Sequence, residues 1–383
     1  MKLKKIVEKV IDNRGKTPPL VDNGYELLEV NAVNESSRTP DYQKVRKFVS
    51  KDTYENWFRT GNITYNDILI PTVGTIGGCC ISKQERGSIA QNLIALRINK
   101  QIADPDYIFY YFRTSFFKKE LLNLDIGGVQ PSIKVPHLLN LEISLPPISE
   151  QKRISSILSS FDNKIEQLKK QNNILEDIAQ SIFKEWFVKY NFPNKDGKPY
   201  KDNNGKMINS ELGLIPEGWR VGKLGEITSI TSGKNLPKKD LATKGKYEVL
   251  GANGKIGETN KYLFDKQLIF TGRVGTLGNV FLSNEPAWYS DNTLLIFPKN
   301  NFLYYVYRYL QRQRLEKLDR GSTQPLITQT DLKTILLPIP FLSLLNKFEK
   351  ISTLINNKIT QNKNNIDYFQ KIKTALLNKL ILA

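Results

Sequence analysis

The sequence predicts a mixed α/β (α+β) fold built twice: two similar globular domains and two long helices packed as an antiparallel coiled coil, related by a pseudo-twofold internal repeat. Three observations predict it. The string DNKIEQ at 162–167 returns as NNKITQ at 356–361, 194 positions on, and Gln130-Pro131 returns as Gln324-Pro325 at the same displacement. Each half mixes short β-branched and aromatic runs with glycine and proline punctuation, the signature of strands and turns, around one helical stretch. Each half then ends in a proline-free heptad pattern. A repeat this long suits whole domains rather than solenoid units.

Residues 1–146 form the first domain. Its strand signals are ITYNDILIPTVGTIGGCCIS and QNLIALRI, and a helix is expected over Asp106 to Leu124. Residues 147–192 form the first helical spacer. Positions 161, 165, 168, 172, 175, 179, 182 and 186 alternate steps of four and three and hold Phe, Ile, Leu, Asn, Leu, Ala, Ile and Trp. Residues 193–213, rich in Gly, Asn, Lys and Asp, read as an exposed linker. Residues 214–340 form the second domain, with strands in YLFDKQLIFTGRVGTLGNVFLS and NTLLIFPKN and a Tyr- and Arg-rich helix over Leu303 to Leu318. Its tyrosines, Tyr304, Tyr305, Tyr307 and Tyr309, offer two readings, stacking on nucleic acid or packing a core, and at helical spacing the core is the more common outcome.

The second spacer, 341–383, repeats the register of the first: 355, 359, 362, 366, 369, 373, 376 and 380 hold Ile, Ile, Asn, Ile, Phe, Lys, Leu and Leu. Each spacer is expected to run as a helix of roughly 30 residues, about 45 Å long. One amphipathic stripe usually lies on its own domain. Two stripes of equal register most simply pack on each other, and a chain that returns to a second domain packs them antiparallel. Asn172 and Asn362 interrupt the two seams, and a polar seam residue sets register at a cost in stability.

The chain carries 56 Lys+Arg against 38 Asp+Glu, a formal charge of +18. Residues 1–146 hold 20 basic and 16 acidic side chains and residues 219–340 hold 18 and 10, so both domains carry the excess. A surplus of this size favours a polyanionic partner, nucleic acid first. No run approaches eighteen apolar residues and the Lys-rich start leads into no apolar signal region, so no membrane contact is expected and the expected location is cytoplasmic. The adjacent Cys79 and Cys80 suit neither a disulfide nor a zinc site and are expected to be buried.

No catalytic constellation emerges. Gly15-Lys16-Thr17 resembles the tail of a phosphate loop, but Val10 stands where the first glycine is needed. Pro18-Pro19 and Pro146-Pro147 lack the Asn/Asp-Pro-Pro-aromatic context of an amino-group methyltransferase, and neither Pro40-Asp41 nor Pro105-Asp106 is followed by a nuclease-like carboxylate-x-Lys pair. His137, the single histidine, has no metal-ligating companions, so no metal site is expected.

Three strings carry a family resemblance: SELGLIPEGW at 210–219, LPPISEQKRI at 145–154 at the start of the first spacer, and the GxVQPSI and GSTQPLI turns. They resemble the specificity subunits of type I restriction-modification systems, and the resemblance covers essentially the whole chain. Two departures stand out: Leu344 and Leu345 replace Glu150 and Gln151 at the second spacer, and the N-terminus has no IPEGW lead-in. The second helix is therefore expected to dock differently, and the first domain to start abruptly or use the chain's end.

The resemblance implies a non-catalytic subunit whose two target-recognition domains each read half of an asymmetric, bipartite duplex DNA site, the helices setting the gap. It further implies two methyltransferase subunits that use S-adenosylmethionine and translocating restriction subunits that use ATP and magnesium, with no cofactor bound by this chain itself. Two other classes fit the composition: a coiled-coil scaffold with basic nucleic-acid-binding domains, and a stand-alone DNA enzyme.

Amide and guanidinium groups bond base edges in pairs, while Lys and Ser/Thr mostly contact phosphate, so glycine-punctuated turns are where contacts are expected. In the first domain these turns select Arg14, Lys16, Thr75, Gln91, Asn92, Gln130, Ser132 and Lys134. In the second they select Lys234, Asn235, Arg273, Thr276, Asn292, Thr323 and Gln324. Motifs repeated in both domains also serve the fold, so specificity is expected where the domains differ.

Overall fold

The computed structural model describes residues 1–15, 17–33, 37–74, 76–124, 132–274, 277–300, 302–319 and 326–381. It divides into two compact units, Met1–Lys169 with Lys363–Ala383, and Lys170–Asn362.

In the first unit, β1 (Val7–Ile11), β2 (Tyr25–Leu28), β3 (Phe48–Val49), α1 (Lys51–Asn56), β4 (Ile68–Pro71), β5 (Cys80–Ile81), β6 (Ser88–Ile89) and β7 (Leu93–Ile98) lead to α2 (Pro105–Phe112), α3 (Ser115–Asn123), α4 (Val135–Leu139) and the start of α5 (Ile148–Phe183). An antiparallel sheet runs β1-β7-β4-β5, and a smaller sheet runs β3-β2-β6 with β2 and β6 parallel. Both faces of the larger sheet are covered, which is why its central strands read as unbroken apolar runs. Alternation sends Ile68, Ile70, Ile94 and Leu96 into a core beneath α2, while Leu69, Leu93 and Ala95 enter a separate cluster beside Leu28. Cys79 and Cys80, both buried and free, fall into different clusters for the same reason.

The second unit repeats this plan. It contains β8 (Met207–Ser210), β9 (Gly213–Pro216), β10 (Arg220–Lys223), α6 (Leu224–Ile227), β11 (Thr228–Ser232), β12 (Leu241–Ala242), β13 (Tyr247–Gly251), β14 (Gly254–Thr259), β15 (Leu268–Gly272), β16 (Val280–Ser283), β17 (Ala287–Tyr289), β18 (Thr293–Pro298), α7 (Leu303–Gln311), α8 (Gln329–Lys333), β19 (Leu336–Ile339) and the start of α9 (Leu342–Ile381). Its main sheet, β11-β18-β15-β16, matches β1-β7-β4-β5 strand for strand, and the parallel pair β13/β17 matches β2/β6. Leu3 N–H donating to Leu141 O and Asn99 N–H to Ile6 O in the first unit are answered by Leu224 to Ile335 and Lys299 to Ile227 in the second. The repeat is thus one of hydrogen bonds as well as of words. The linker stretch 193–213 is ordered at its end, where β8 pairs with β9 as a hairpin.

Two expected helices are shorter than the sequence reading. The helix over 106–124 breaks into α2 and α3 because Thr114 acts as an N-cap: its Oγ1 accepts from Phe117 N–H at 3.2 Å and donates to Tyr111 O at 2.7 Å. The helix over 303–318 stops at Gln311, and a 3₁₀ turn covers Leu315–Leu318. Leu310 and Leu315 are both buried in one core, and a five-residue step turns a side chain well away from its starting face. The tyrosines do pack: Tyr304 and Tyr305 are buried in that core, with Tyr307 and Tyr309 against it.

In each unit the two long helices run antiparallel. In the first unit, Ile165 and Leu168 of α5 pack on Ile366 and Phe369 of α9, and the Phe161 and Phe369 rings lie 6.1 Å apart. In the second, Phe183 at the end of α5 and Trp186 and Phe187 of the π-helical turn Lys184–Val188 that follows pack around Phe348. Every seam position is buried or half-buried, and full burial of each aliphatic member is worth about 1.5–3 kcal/mol. The chain's end serves the first domain, since Leu376, Leu377, Leu380 and Ile381 pack on its core, as Phe183 and Phe187 pack on the core of the second.

The docking difference signalled by Leu344 and Leu345 has a definite form. Buried Gln151 accepts from Asp104 N–H at 2.9 Å, just before α2, and donates to Pro146 O at 2.8 Å. In the second unit Leu345 is simply core, and Glu349 one turn later accepts from Tyr304 N–H at 3.1 Å and Tyr305 N–H at 2.8 Å, at the start of α7. Among the described residues, no helix is long and apolar enough to cross a membrane.

Candidate nucleic-acid interface

The turn before the central strand of each main sheet is built identically. In the first unit Ala90 N–H donates to Leu28 O (2.8 Å), Leu93 N–H to Ala90 O (3.1 Å) and Thr72 N–H to Asn92 O (2.9 Å), and Ile133 N–H donates to Thr72 O (2.9 Å). In the second unit Ser290 donates to Leu250 (2.9 Å), Thr293 to Ser290 (3.0 Å), Arg273 to Asn292 (2.8 Å) and Ile327 to Arg273 (2.9 Å). What Asn92 and Asn292 share is therefore a backbone acceptor, while both side chains stay exposed. Gly233 passes this turn where a Cβ would lie 2.1 Å from Ser290 O, so no other residue fits without moving the backbone. Lys234 follows directly, its N–H on Tyr289 O at 2.8 Å and its carbonyl accepting from the Trp288 indole at 2.8 Å.

In the first unit the same turn borders a cleft. One cavity of about 450 Å³ is lined by Asn13, Arg14, Gly15, Trp57, Phe58 and Arg59. A neighbouring one of about 420 Å³ shares Asn13 and Phe58 and adds Thr17, Asn31, Lys47, Gln91 and Asn92 among others. Arg14 is held in plane by Asp12, Nε to Oδ1 at 2.8 Å and Nη2 to Oδ2 at 2.5 Å. That bonding holds the Asp12 carboxyl below its ordinary range and raises the Arg14 guanidinium, although burial opposes both shifts. Asn13 is spent on the scaffold, its Oδ1 accepting from Thr60 Oγ1 at 2.8 Å and its Nδ2 donating to Gly61 O at 3.2 Å. Gln91 donates to Thr17 Oγ1 at 3.0 Å. Trp57 is 43% exposed, and its indole N–H and the Arg59 guanidinium make no hydrogen bond or ion pair among the described residues. Two guanidiniums, an open indole and amides on one concave wall offer a polyanion charge and base edges both donors and an apolar face.

The structure brings Arg14, Gln91 and Asn92 to this cleft, and Lys234, Arg273 and Asn292 to the matching turn of the second unit, with Asn235 exposed next to Lys234. Ser132 pairs with Val73 beside the turn, and Lys134 is exposed just ahead of α4. Lys16, Thr75, Gln130, Thr276, Thr323 and Gln324 lie outside the described residues. Asn13, Trp57 and Arg59 escaped the sequence reading, although Asn56-Trp57-Phe58-Arg59-Thr60-Gly61 ends in a positive-φ glycine, as the Arg14-Gly15 turn does. No group of three or more His, Cys, Asp or Glu able to hold a metal occurs among the described residues.

The domain family described as "Type I restriction modification DNA specificity domain" matches residues 1–204 and 216–368. The MjaIX type I restriction enzyme specificity subunit of Methanocaldococcus jannaschii is 30% identical over 303 residues, 72% of this chain and 68% of that one. The MjaVIII specificity subunit of the same organism is 28% identical over 354 residues, covering 83% and 79%. In fold, the chain resembles the S subunit of a type I restriction-modification system from M. genitalium, with a TM-score of 0.63 at 19% identity over 100% of this chain and 95% of that one. With both repeats matched, the chain belongs to the family of type I restriction-modification DNA specificity subunits.

Proposed function

We propose that this subunit carries no catalysis of its own and directs partner subunits to an asymmetric, bipartite DNA site, each unit reading one half. The observation that carries this reading is the bond-for-bond repetition of the turns at Asn92 and Asn292 on two sheets of identical order, surrounded by different side chains. Equal frames with unequal side chains suit two different half-sites. The helix pair sets the unread gap, and two half-sites on one face of a duplex fall about 34 Å apart or a multiple of it. The basic excess of both halves supplies the salt-dependent, sequence-independent part of the affinity.

Two methyltransferase subunits supply S-adenosylmethionine chemistry, and restriction subunits supply ATP- and magnesium-dependent translocation and cleavage, all in the cytoplasm. Base-resolution methylation sequencing tests this in a clean host expressing the chain with its neighbouring methyltransferase subunit. A split motif with a fixed gap, present only with this chain, is expected. Methylation that is unchanged without the chain, despite an active methyltransferase, sinks the recognition role.

A further inference from the structure

The hydrogen bonds that superpose Ala90 on Ser290 and Asn92 on Asn292 also superpose the residues between them, Gln91 and Asp291. Both sit at the tip of a turn whose backbone is hydrogen-bonded on either side. A side chain there is placed by scaffold rather than by chance. Their hydrogen-bonding capacities differ in kind: the amide of Gln91 both donates and accepts, whereas an ionised Asp291 only accepts. Asp291 is exposed and makes no hydrogen bond or ion pair among the described residues. In a chain of formal charge +18, such a carboxylate on the turn that Lys234 N–H bonds at Tyr289 O opposes the attraction of phosphate. A group that weakens general affinity at such a place gains a purpose if it meets a donor.

We propose that Gln91 and Asp291 are equivalent specificity-determining positions, one per half-site, and that the difference between them is one source of the site's asymmetry. The Gln91 amide, once turned from Thr17 Oγ1, carries the donor and acceptor that pair with the N6 and N7 edge of adenine, and the Asp291 carboxylate the acceptor for the N4 amino group of cytosine, both in the major groove. The same carboxylate repels bases that present only acceptors there, which adds discrimination through the unfavourable contact. The assignment rests on the bipartite reading above and adds the positions at which the two halves diverge.

The test uses the intact complex in its host, with methylation sequencing of wild type, Asp291→Asn and Gln91→Glu, and thermal denaturation of each purified complex as a check on folding. Both residues lie at turn tips and neither is core, so melting is expected to be unchanged. Asp291→Asn is expected to relax or change one base position in one half-site by about tenfold or more while the other half-site stays as it was. Gln91→Glu is expected to do the same in the opposite half-site. Wild-type motifs from both variants overturn the assignment. So does a uniform loss of methylation by a normally folded variant, since that marks a phosphate or assembly role. A wild-type complex giving no split motif overturns the bipartite reading itself and this assignment with it.

Discussion

Asn362 of α9 donates its side-chain amide to the Oδ1 of Asn172 on α5 at 2.9 Å, within the second unit. Asn362 is fully buried and its own Oδ1 accepts no hydrogen bond among the described residues, so the pair is held by one bond and already tolerates one unsatisfied acceptor. Apolar neighbours tolerate other alignments, whereas a buried amide is satisfied in one register only. Asn172→Leu leaves the Asn362 amide wholly unpaired and is expected to lower stability by about 1–3 kcal/mol. The Asn172→Leu/Asn362→Leu double variant is expected to recover it, because apolar replacement of both partners removes the desolvation cost. Thermal melting of the three proteins decides, and an Asn172→Leu protein that melts like wild type ends the register role.

Glu349 gives the second unit a pH dependence. Burial pushes its carboxyl up to about 7, although the Tyr304 and Tyr305 N–H groups favour the charged form. The folded state therefore holds the proton more tightly than the unfolded chain. The resulting stabilisation is full below the ordinary glutamate value of 4.5 and is lost as pH rises toward 7. Across that interval it amounts to about 3 kcal/mol. Glu349→Gln, which keeps an acceptor for the α7 start, is expected to flatten this slope and to melt higher than wild type at pH 8. Melting curves from pH 5 to 8 that slope equally in both proteins refute it.

The sequence carried the plan further than the details. The seam from Phe161 to Trp186 was legible because a heptad depends only on spacing, and the copy at 355–380 confirmed its phase. The breaks at Thr114 and Arg312 were not, because local propensity continued the helix while the cap at Thr114 and the burial of Leu315 stopped it. At the interface, Arg14 and Gln91 could be picked from their glycine-marked turns. Trp57 and Arg59 join them only through folding, since the cleft unites residues more than 40 positions apart in sequence. Asp291 is not legible for the opposite reason: an acid in a basic chain reads as plain solvation until the repeat aligns it with Gln91.

A second polar contact ties α5 to α9 in the first unit. Lys373 Nζ lies 2.6 Å from Asp162 Oδ1, and Asp162 Oδ2 accepts from the Tyr110 hydroxyl at 2.7 Å. The Asp162 side chain is 8% exposed and that of Lys373 19%, so little solvent screens the pair. Burial together with the Asp162 charge drives the Tyr110 hydroxyl far up, keeping it a donor at any physiological pH. Lys373→Met strands a buried carboxylate and is expected to cost about 3 kcal/mol. Tyr110→Phe removes one bond to a charged group, for about 1.5–3 kcal/mol. Hydrogen exchange should show the loss in the first unit, and equal protection in Lys373→Met and wild type rules the contact out as a fastener.

Trp57 and Arg59 should separate two kinds of contact in one cleft. Arg59 makes no hydrogen bond or ion pair among the described residues, which suits a phosphate oxygen, whereas Arg14 is fixed in plane by Asp12, which suits a base-edge donor. Arg59→Ala in the intact complex is therefore expected to weaken binding of cognate and unrelated duplexes alike and to reduce the salt slope by about one. Arg14→Ala is expected to narrow the gap between cognate and unrelated duplexes by about 1–3 kcal/mol. Trp57→Ala removes an exposed apolar face and should lower cognate affinity while leaving the salt slope intact, with Trp57→Phe retaining most of it. Titrations of a cognate and a scrambled duplex across a salt series measure all three. If Arg59→Ala changed only the cognate duplex, the roles of the two arginines would be exchanged; if none of the variants altered either duplex, the cleft would not touch DNA.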